Sequence, residues 1–170
     1  MTVHTALRAA LIGSLLATLG TSAFSQVDDP PPWEEAQVAP PAWSLDGLST
    51  FRLEGQGSMT FAIDPSTITF APDGVVRYVF VARSSSGAVN ALFEGVRCQT
   101  GEVKLYARWD TGASKWRTSG DQTWQPLEYR GPTRRAMQMA QAGVCDNKAP
   151  ARNVAWLLES LKRGRTDQTR

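Results

Sequence analysis

The chain has 170 residues, with 18 Lys+Arg against 16 Asp+Glu, two cysteines and one histidine. That histidine, His4, falls in a leader expected to be removed, so Ser-His-Asp, Cys-His and histidine-ligated metal chemistry are not expected of the mature chain. No metal site and no cofactor is expected either: two cysteines without a histidine make a poor zinc site, and Gly55-Gln56-Gly57 lacks the rest of a dinucleotide fingerprint.

Residues 1–25 read as a secretory signal peptide. Arg8 gives the basic start, Ala9 to Leu19 the apolar run, and small Ala23 and Ser25 flank a cleavage before Gln26. The run of about 11 residues falls short of the roughly 20 that span a bilayer. No cysteine lies near the junction to take a lipid, and no other segment is apolar enough to cross a membrane. The expected location is the periplasm, where nucleic acid is not a partner. Removing the leader leaves 145 residues, the size of one domain. Residues 26–73 carry eight acids and one base, and residues 74–170 carry sixteen bases and eight acids. The two parts neutralise each other within one fold, or the second presents a basic face to an anionic envelope partner.

Residues 26–50 hold half of the chain's ten prolines together with Asp28, Asp29, Glu34 and Glu35. Missing backbone donors and repelling acids predict an extended arm. Trp33 and Trp43 predict that this arm docks, as a strap over a sheet edge. A single domain is expected over residues 51–165, with a short tail at 166–170.

The middle alternates with period two. Met59, Phe61 and Ile63 form one strand, Asp64-Pro65-Ser66 a turn, and Ile68 with Phe70 a second strand. Pro72-Asp73-Gly74 is the next turn. Val75 to Arg83 is the longest strand, with Val76, Tyr78, Phe80 and Ala82 toward the core and Arg77 and Arg83 on the other face. Ser84 to Gly87 form a hairpin loop, and Ala88 to Gln99 the next strand, with a bulge at Gly95. Val103 to Trp109, Lys115 to Arg117 and Thr123 to Leu127 follow as strands. Pro132 to Ala142 reads as a helix. Val154, Leu157, Leu158 and Leu161 give a second helix one apolar stripe, with Pro150 in its first turn and Gly164 at its stop. Trp156 lies off that stripe. The fold class is α+β: a twisted antiparallel β-meander packed against one or two C-terminal helices.

Cys98 and Cys145 form an even pair in an exported chain, which predicts a disulfide tying the approach to the last helix onto the sheet. Polar groups beside backbone punctuation give the candidate site: Arg77, Tyr78, Glu94, Arg97 and Tyr106. A bulge at Gly95 brings Glu94 and Arg97 to one face, where Arg77 and Arg97 frame Glu94. Such a network orders a sheet face, holds a small anion, or leaves Glu94 as a lone general acid. Trp109, Trp116 and Trp124 fill core space or form an aromatic platform for a ligand.

The motifs Asp73-Gly74-Val75-Val76-Arg77-Tyr78, Ser84-Ser85-Ser86-Gly87-Ala88 with Asn90, Glu94-Gly95-Val96-Arg97-Cys98 and Tyr106-Ala107 occur in order. With Trp33-Glu34, Trp116 and Trp124, over roughly residues 33 to 148, the chain resembles the cryptic neisserial protein-like family of secreted or lipid-anchored proteobacterial proteins. Phe93 stands where the family pattern has tyrosine, which removes one hydroxyl from any shared site, and the lipid-anchor cysteine of some relatives is missing. The resemblance implies location and architecture and no activity. The reading is a non-enzymatic periplasmic module that binds an unknown envelope component or partner protein, its oligomeric state open. The alternative is a histidine-free hydrolase or lyase using Glu94 with Arg97 and Tyr106.

Overall fold

Strict alternation in the middle of the chain produces one large antiparallel sheet. A computed structural model describes residues 31–164 except 56, 119 and 121; the expected leader and the tail 166–170 lie outside the described residues. The strands are β1 (Ser49–Phe51), β2 (Thr60–Phe70), β3 (Val75–Arg83), β4 (Val89–Arg97), β5 (Glu102–Asp110), β6 (Lys115–Thr118) and β7 (Gln125–Pro126). They pair in sequence order from β1 to β6, and β7 joins β5 beside β6. Helix α1 (Arg134–Met139) runs into a π-type turn, Ala140–Val144; a small hairpin, β8 (Cys145–Asp146) and β9 (Ala149–Pro150), leads to α2 (Val154–Arg163). The fold is the α+β meander with two C-terminal helices that the periodicity predicts. No described helix is long and apolar enough to cross a membrane.

Several local expectations are corrected. Asp64-Pro65-Ser66 does not reverse the chain but bulges out of β2, whose register against β3 shifts between Asp64 and Thr69. The Thr67 hydroxyl sustains the ladder there: it donates to the Asp64 carbonyl at 2.7 Å and accepts from the Val79 N–H at 2.9 Å. Proline, lacking a donor, sits where the ladder is already broken. Pro150 belongs to β9 rather than to the first turn of α2, which is capped instead by Asn153, whose side chain accepts from the Trp156 N–H at 2.8 Å. Helical backbone runs through α1 and the π-type turn to Ala142, the expected end, and Gly143, at φ 150°, leaves the helical region. A Cβ at Gly143 would lie 2.5 Å from the Ser160 Cβ, so glycine lets the π-type turn touch α2.

Both faces of the sheet are covered. One carries Ile63, Val76, Tyr78, Phe80, Leu92 and Val96 against Met139, Leu157 and Leu161 of the helical segment. Trp156 is partly buried against this same core. The opposite face, expected to be the polar side of β3, buries Val79, Val81, Ala91, Phe93, Tyr106 and Ala107. Trp43 and Leu48 of the arm, with Trp109 and Trp116, close over it. The arm therefore covers a face, while its continuation as β1 pairs with the edge of β2. The disulfide joins Cys98 at the end of β4 to Cys145 in β8, with Cα atoms 5.7 Å apart.

The expected bulge also moves. Gly95 pairs in register with Arg77 on one side and Lys104 on the other. The extra residue is Tyr106, since Phe93 pairs with Ala107 and Glu94 with Leu105. A bulge turns two consecutive residues toward one face, and Tyr106 and Ala107 both enter the arm-side cluster. The Tyr106 ring leans over Gly95, where a Cβ would meet its Cε2 and hydroxyl at 2.9 Å and Val75 Cγ1 at 2.8 Å. Gly95→Ala is expected to destabilise by about 1–3 kcal/mol through this overpacking. An unchanged midpoint in urea unfolding would show that the ring has room to move.

Candidate functional site

The pleat divides the predicted site residues between the two faces. Tyr78 and Glu94 are register partners and face the helices. Arg77, Arg97 and Tyr106 face the arm. Glu94 and Arg97 therefore lie on opposite sides of the sheet, and Arg77 and Arg97 do not frame Glu94.

On the helix face, Glu94 is 4% exposed and is gripped by Arg135 of α1. Both Nη nitrogens of its guanidinium donate to the Glu94 carboxylate, Nη1 at 2.9 Å and Nη2 to the other oxygen. The Arg135 guanidinium also lies 4.0 Å over the Phe80 ring. Burial, then the adjacent Glu94 charge, pushes the Tyr78 hydroxyl well above its ordinary value. This face offers no open carboxyl: the lone acid predicted there is half of a buried, bidentate pair.

On the arm face the cations converge on an extended segment of the chain itself. Arg77, 1% exposed, donates to both oxygens of Asp73, at 3.1 and 2.6 Å, and through Nε to the Tyr106 hydroxyl at 3.2 Å. The Tyr106 hydroxyl donates in turn to Glu35 of the arm at 2.8 Å. Glu35 also accepts from Lys104 Nζ at 2.8 Å and from Trp124 Nε1 at 3.1 Å. Asp73 accepts from the Ala36 N–H at 2.9 Å, and its carbonyl accepts from Trp33 Nε1 at 2.8 Å. The Arg97 guanidinium stacks 3.8 Å from the Trp33 ring centroid, and Trp33 meets Trp124 edge-on. Further along, Trp116 Nε1 donates to the Pro41 carbonyl at 2.8 Å, and Trp43 packs edge-on against Trp109.

The electrostatics follow from these contacts. Burial raises the Glu35 carboxyl, but hydrogen bonds from Lys104, Tyr106 and Trp124 and the Lys104 charge outweigh it and hold it below its ordinary value. Asp73 behaves likewise: burial raises it, while Arg77 and the Ala36 and Val75 N–H groups bring it down. Burial and the bond to Glu35 push the Tyr106 hydroxyl up, so it stays a donor. A carboxyl with a depressed folded value stabilises fully above its ordinary value and loses that contribution as the pH falls through the folded value. Thermal stability is expected to drop as the pH falls below the ordinary values of 4.5 for Glu35 and 3.8 for Asp73. Glu35→Gln removes part of that slope; melting curves that stay parallel to the parent down to acid pH would contradict the assignment.

Three partners escaped the sequence reading, Glu35, Lys104 and Arg135, while Asp73 entered it as the Asp73-Gly74 turn before Arg77 and Tyr78. Lys104 carried a signal, since it lies two residues before Tyr106 on one strand and alternation places both on the same face. Glu35 carried another, two residues after a tryptophan that has no reason to sit on a free linker. Arg135, and the contacts of Asp73 with Arg77 and the arm, needed the tertiary fold.

No curated protein and no solved structure matches this chain. Trp33, Asp73, Arg77, Arg97, Tyr106, Trp116 and Trp124 gather on the arm face, and the model of the CNP1-like family matches residues 28–162, so the chain belongs to the CNP1-like family.

Proposed function

We propose that the protein is an exported, non-enzymatic binding module of the cell envelope, and that its recognition surface is the arm side of the sheet. The observation that carries this reading is the contrast between the two faces. Glu94, the one candidate acid of a hydrolase or lyase, is closed under the helices by Arg135. Arg97, Lys104, Tyr106, Trp116 and Trp124 instead hold an extended, proline-containing segment through side-chain contacts. Aromatic faces and indole donors set along such a segment are the hardware of extended-peptide recognition. The leader-like residues 1–25 support export, and a disulfide is at home in an oxidising compartment.

Retention assays test the reading: purified mature protein against cell-wall polymer, anionic vesicles and envelope extract. Specific retention that Arg97→Ala with Lys104→Ala abolishes is expected, and no retention on any of the three would reject it. Glu94→Gln is expected to lower the melting temperature, because it leaves Arg135 with a neutral partner, while retention persists. Turnover in a hydrolase or lyase screen that Glu94→Gln removes without loss of fold would establish the enzyme instead.

A further inference from the structure

We infer that the arm side of the sheet is a docking site for the Trp33–Ser44 segment of a second copy, so that two molecules pair by exchanging arms. This rests on the binding reading above and names its partner. Three observations carry it.

The first is how the arm is held. Among the described residues, the arm before β1 makes no backbone–backbone hydrogen bond to the sheet. Its contacts are those of a ligand in a site: Trp33 against Arg97 and Trp124, Glu35 among Lys104, Tyr106 and Trp124, Ala36 on Asp73, Pro41 on Trp116, Trp43 on Trp109, and the Ser44 N–H on Asp64 at 3.0 Å. Every one is available to an identical segment arriving from another molecule, so exchange conserves the contacts and adds an association cost.

The second is the junction. The arm joins β1 through a single turn in which the Ser44 hydroxyl accepts from the Asp46 N–H at 3.0 Å and Gly47 sits at φ 75°. Leu45 in that turn is 50% exposed. Opening one exposed turn releases the whole arm without unpairing a strand. The prolines at 40 and 41 keep the freed segment extended rather than collapsed.

The third is charge. The described arm carries Glu34 and Glu35 and no base, and the face it covers presents Arg97 and Lys104 beside the Arg77–Asp73 pair. That complementarity steers an arm to a vacated face of another molecule as well as to its own.

Complementation tests the proposal on the mature full chain. Trp33→Ala with Glu35→Ala disables the arm and keeps the face; Arg97→Ala with Lys104→Ala disables the face and keeps the arm. Each variant alone is expected to run as a monomer in size-exclusion chromatography with light scattering. Their mixture is expected to form a one-to-one heterodimer through the one intact arm and the one intact face. A mixture that stays monomeric overturns the inference. Should either variant fail to fold, as judged by circular dichroism, two differently tagged parent chains are mixed at high concentration, warmed to the onset of unfolding and cooled. Mixed-tag dimers support exchange, and their absence overturns it. A labelled synthetic peptide of residues 31–46 separates the two levels of the reading. It is expected to bind the arm-disabled chain at least about tenfold more tightly than the parent, whose tethered arm competes at an effective concentration near millimolar. Peptide binding without chain pairing overturns the second copy as partner and leaves the binding surface standing. No peptide binding removes both.

Discussion

Arg77→Ala is expected to lower stability by about 3–5 kcal/mol, the usual cost of breaking a buried ion pair from one side. The Arg77 side chain is 1% exposed, and its partner Asp73 is 3% exposed. Removing the guanidinium leaves the Asp73 carboxylate with only the Ala36 and Val75 N–H donors, at 2.9 and 3.1 Å, and leaves the Tyr106 oxygen without its donor from Nε. The loss spreads to the arm, because Asp73 positions both Ala36 and the Trp33 indole. Arg77→Lys keeps the charge but not the planar fork, and is expected to fall between parent and alanine. Arg77→Met combined with Asp73→Asn removes both charges and is expected to recover part of the loss. Urea unfolding measures all three through the midpoint at constant slope. A loss below about 1 kcal/mol for Arg77→Ala, within the range of an exposed pair, would mean that the pair is not the anchor of this face.

The sheet was legible in the sequence because short runs rich in β-branched and aromatic residues lie between turn signals such as Pro72-Asp73-Gly74 and Ser84 to Gly87, and the strands from β3 to β6 keep close to those bounds. Failures occur where side chains replace backbone. At Asp64-Pro65-Ser66 the composition is that of a turn, yet the Thr67 hydroxyl rejoins the ladder and the strand continues. Alternation also understated the core. The core was assigned to the even face of β3 alone, with Arg77 and Arg83 on the odd face, but the arm brings partners that neutralise Arg77, and Val79 and Val81 beside it are buried at 0% and 1% exposure. The candidate site was half visible for a related reason. Residue types and approximate places were readable, as with Arg77, Arg97 and Tyr106. Which of them share a face depended on one bulged residue: Tyr106 takes the bulge that a glycine at 95 suggested for itself. A strand shift of one residue exchanges every side chain between faces, so Glu94 and Arg97 separated while Tyr106 joined Arg77.

The disulfide gives the second large effect. Cys98→Ser with Cys145→Ser is expected to cost about 4 kcal/mol in the chain-entropy treatment, for a separation of 47 residues. For a domain of this size that corresponds to roughly 10–15 °C in melting temperature. The reason the full value is expected lies in what the loop contains. Between the two cysteines run β5, β6, β7 and α1, and after Cys145 only the β8–β9 hairpin leads into α2. Both cysteines are buried, 5% and 8% exposed, in the same cluster as Val96, Val144 and Leu157. Without the covalent link, the helical segment is held to the sheet by apolar packing and the Glu94–Arg135 pair, so α1 and α2 are expected to lose protection before the strands do. Amide exchange under native conditions measures this directly: the double variant should show faster exchange in residues 134–163 while β3 and β4 stay protected. Equal acceleration throughout would mean that sheet and helices open as one unit and that the link stabilises the domain globally rather than fastening its helices.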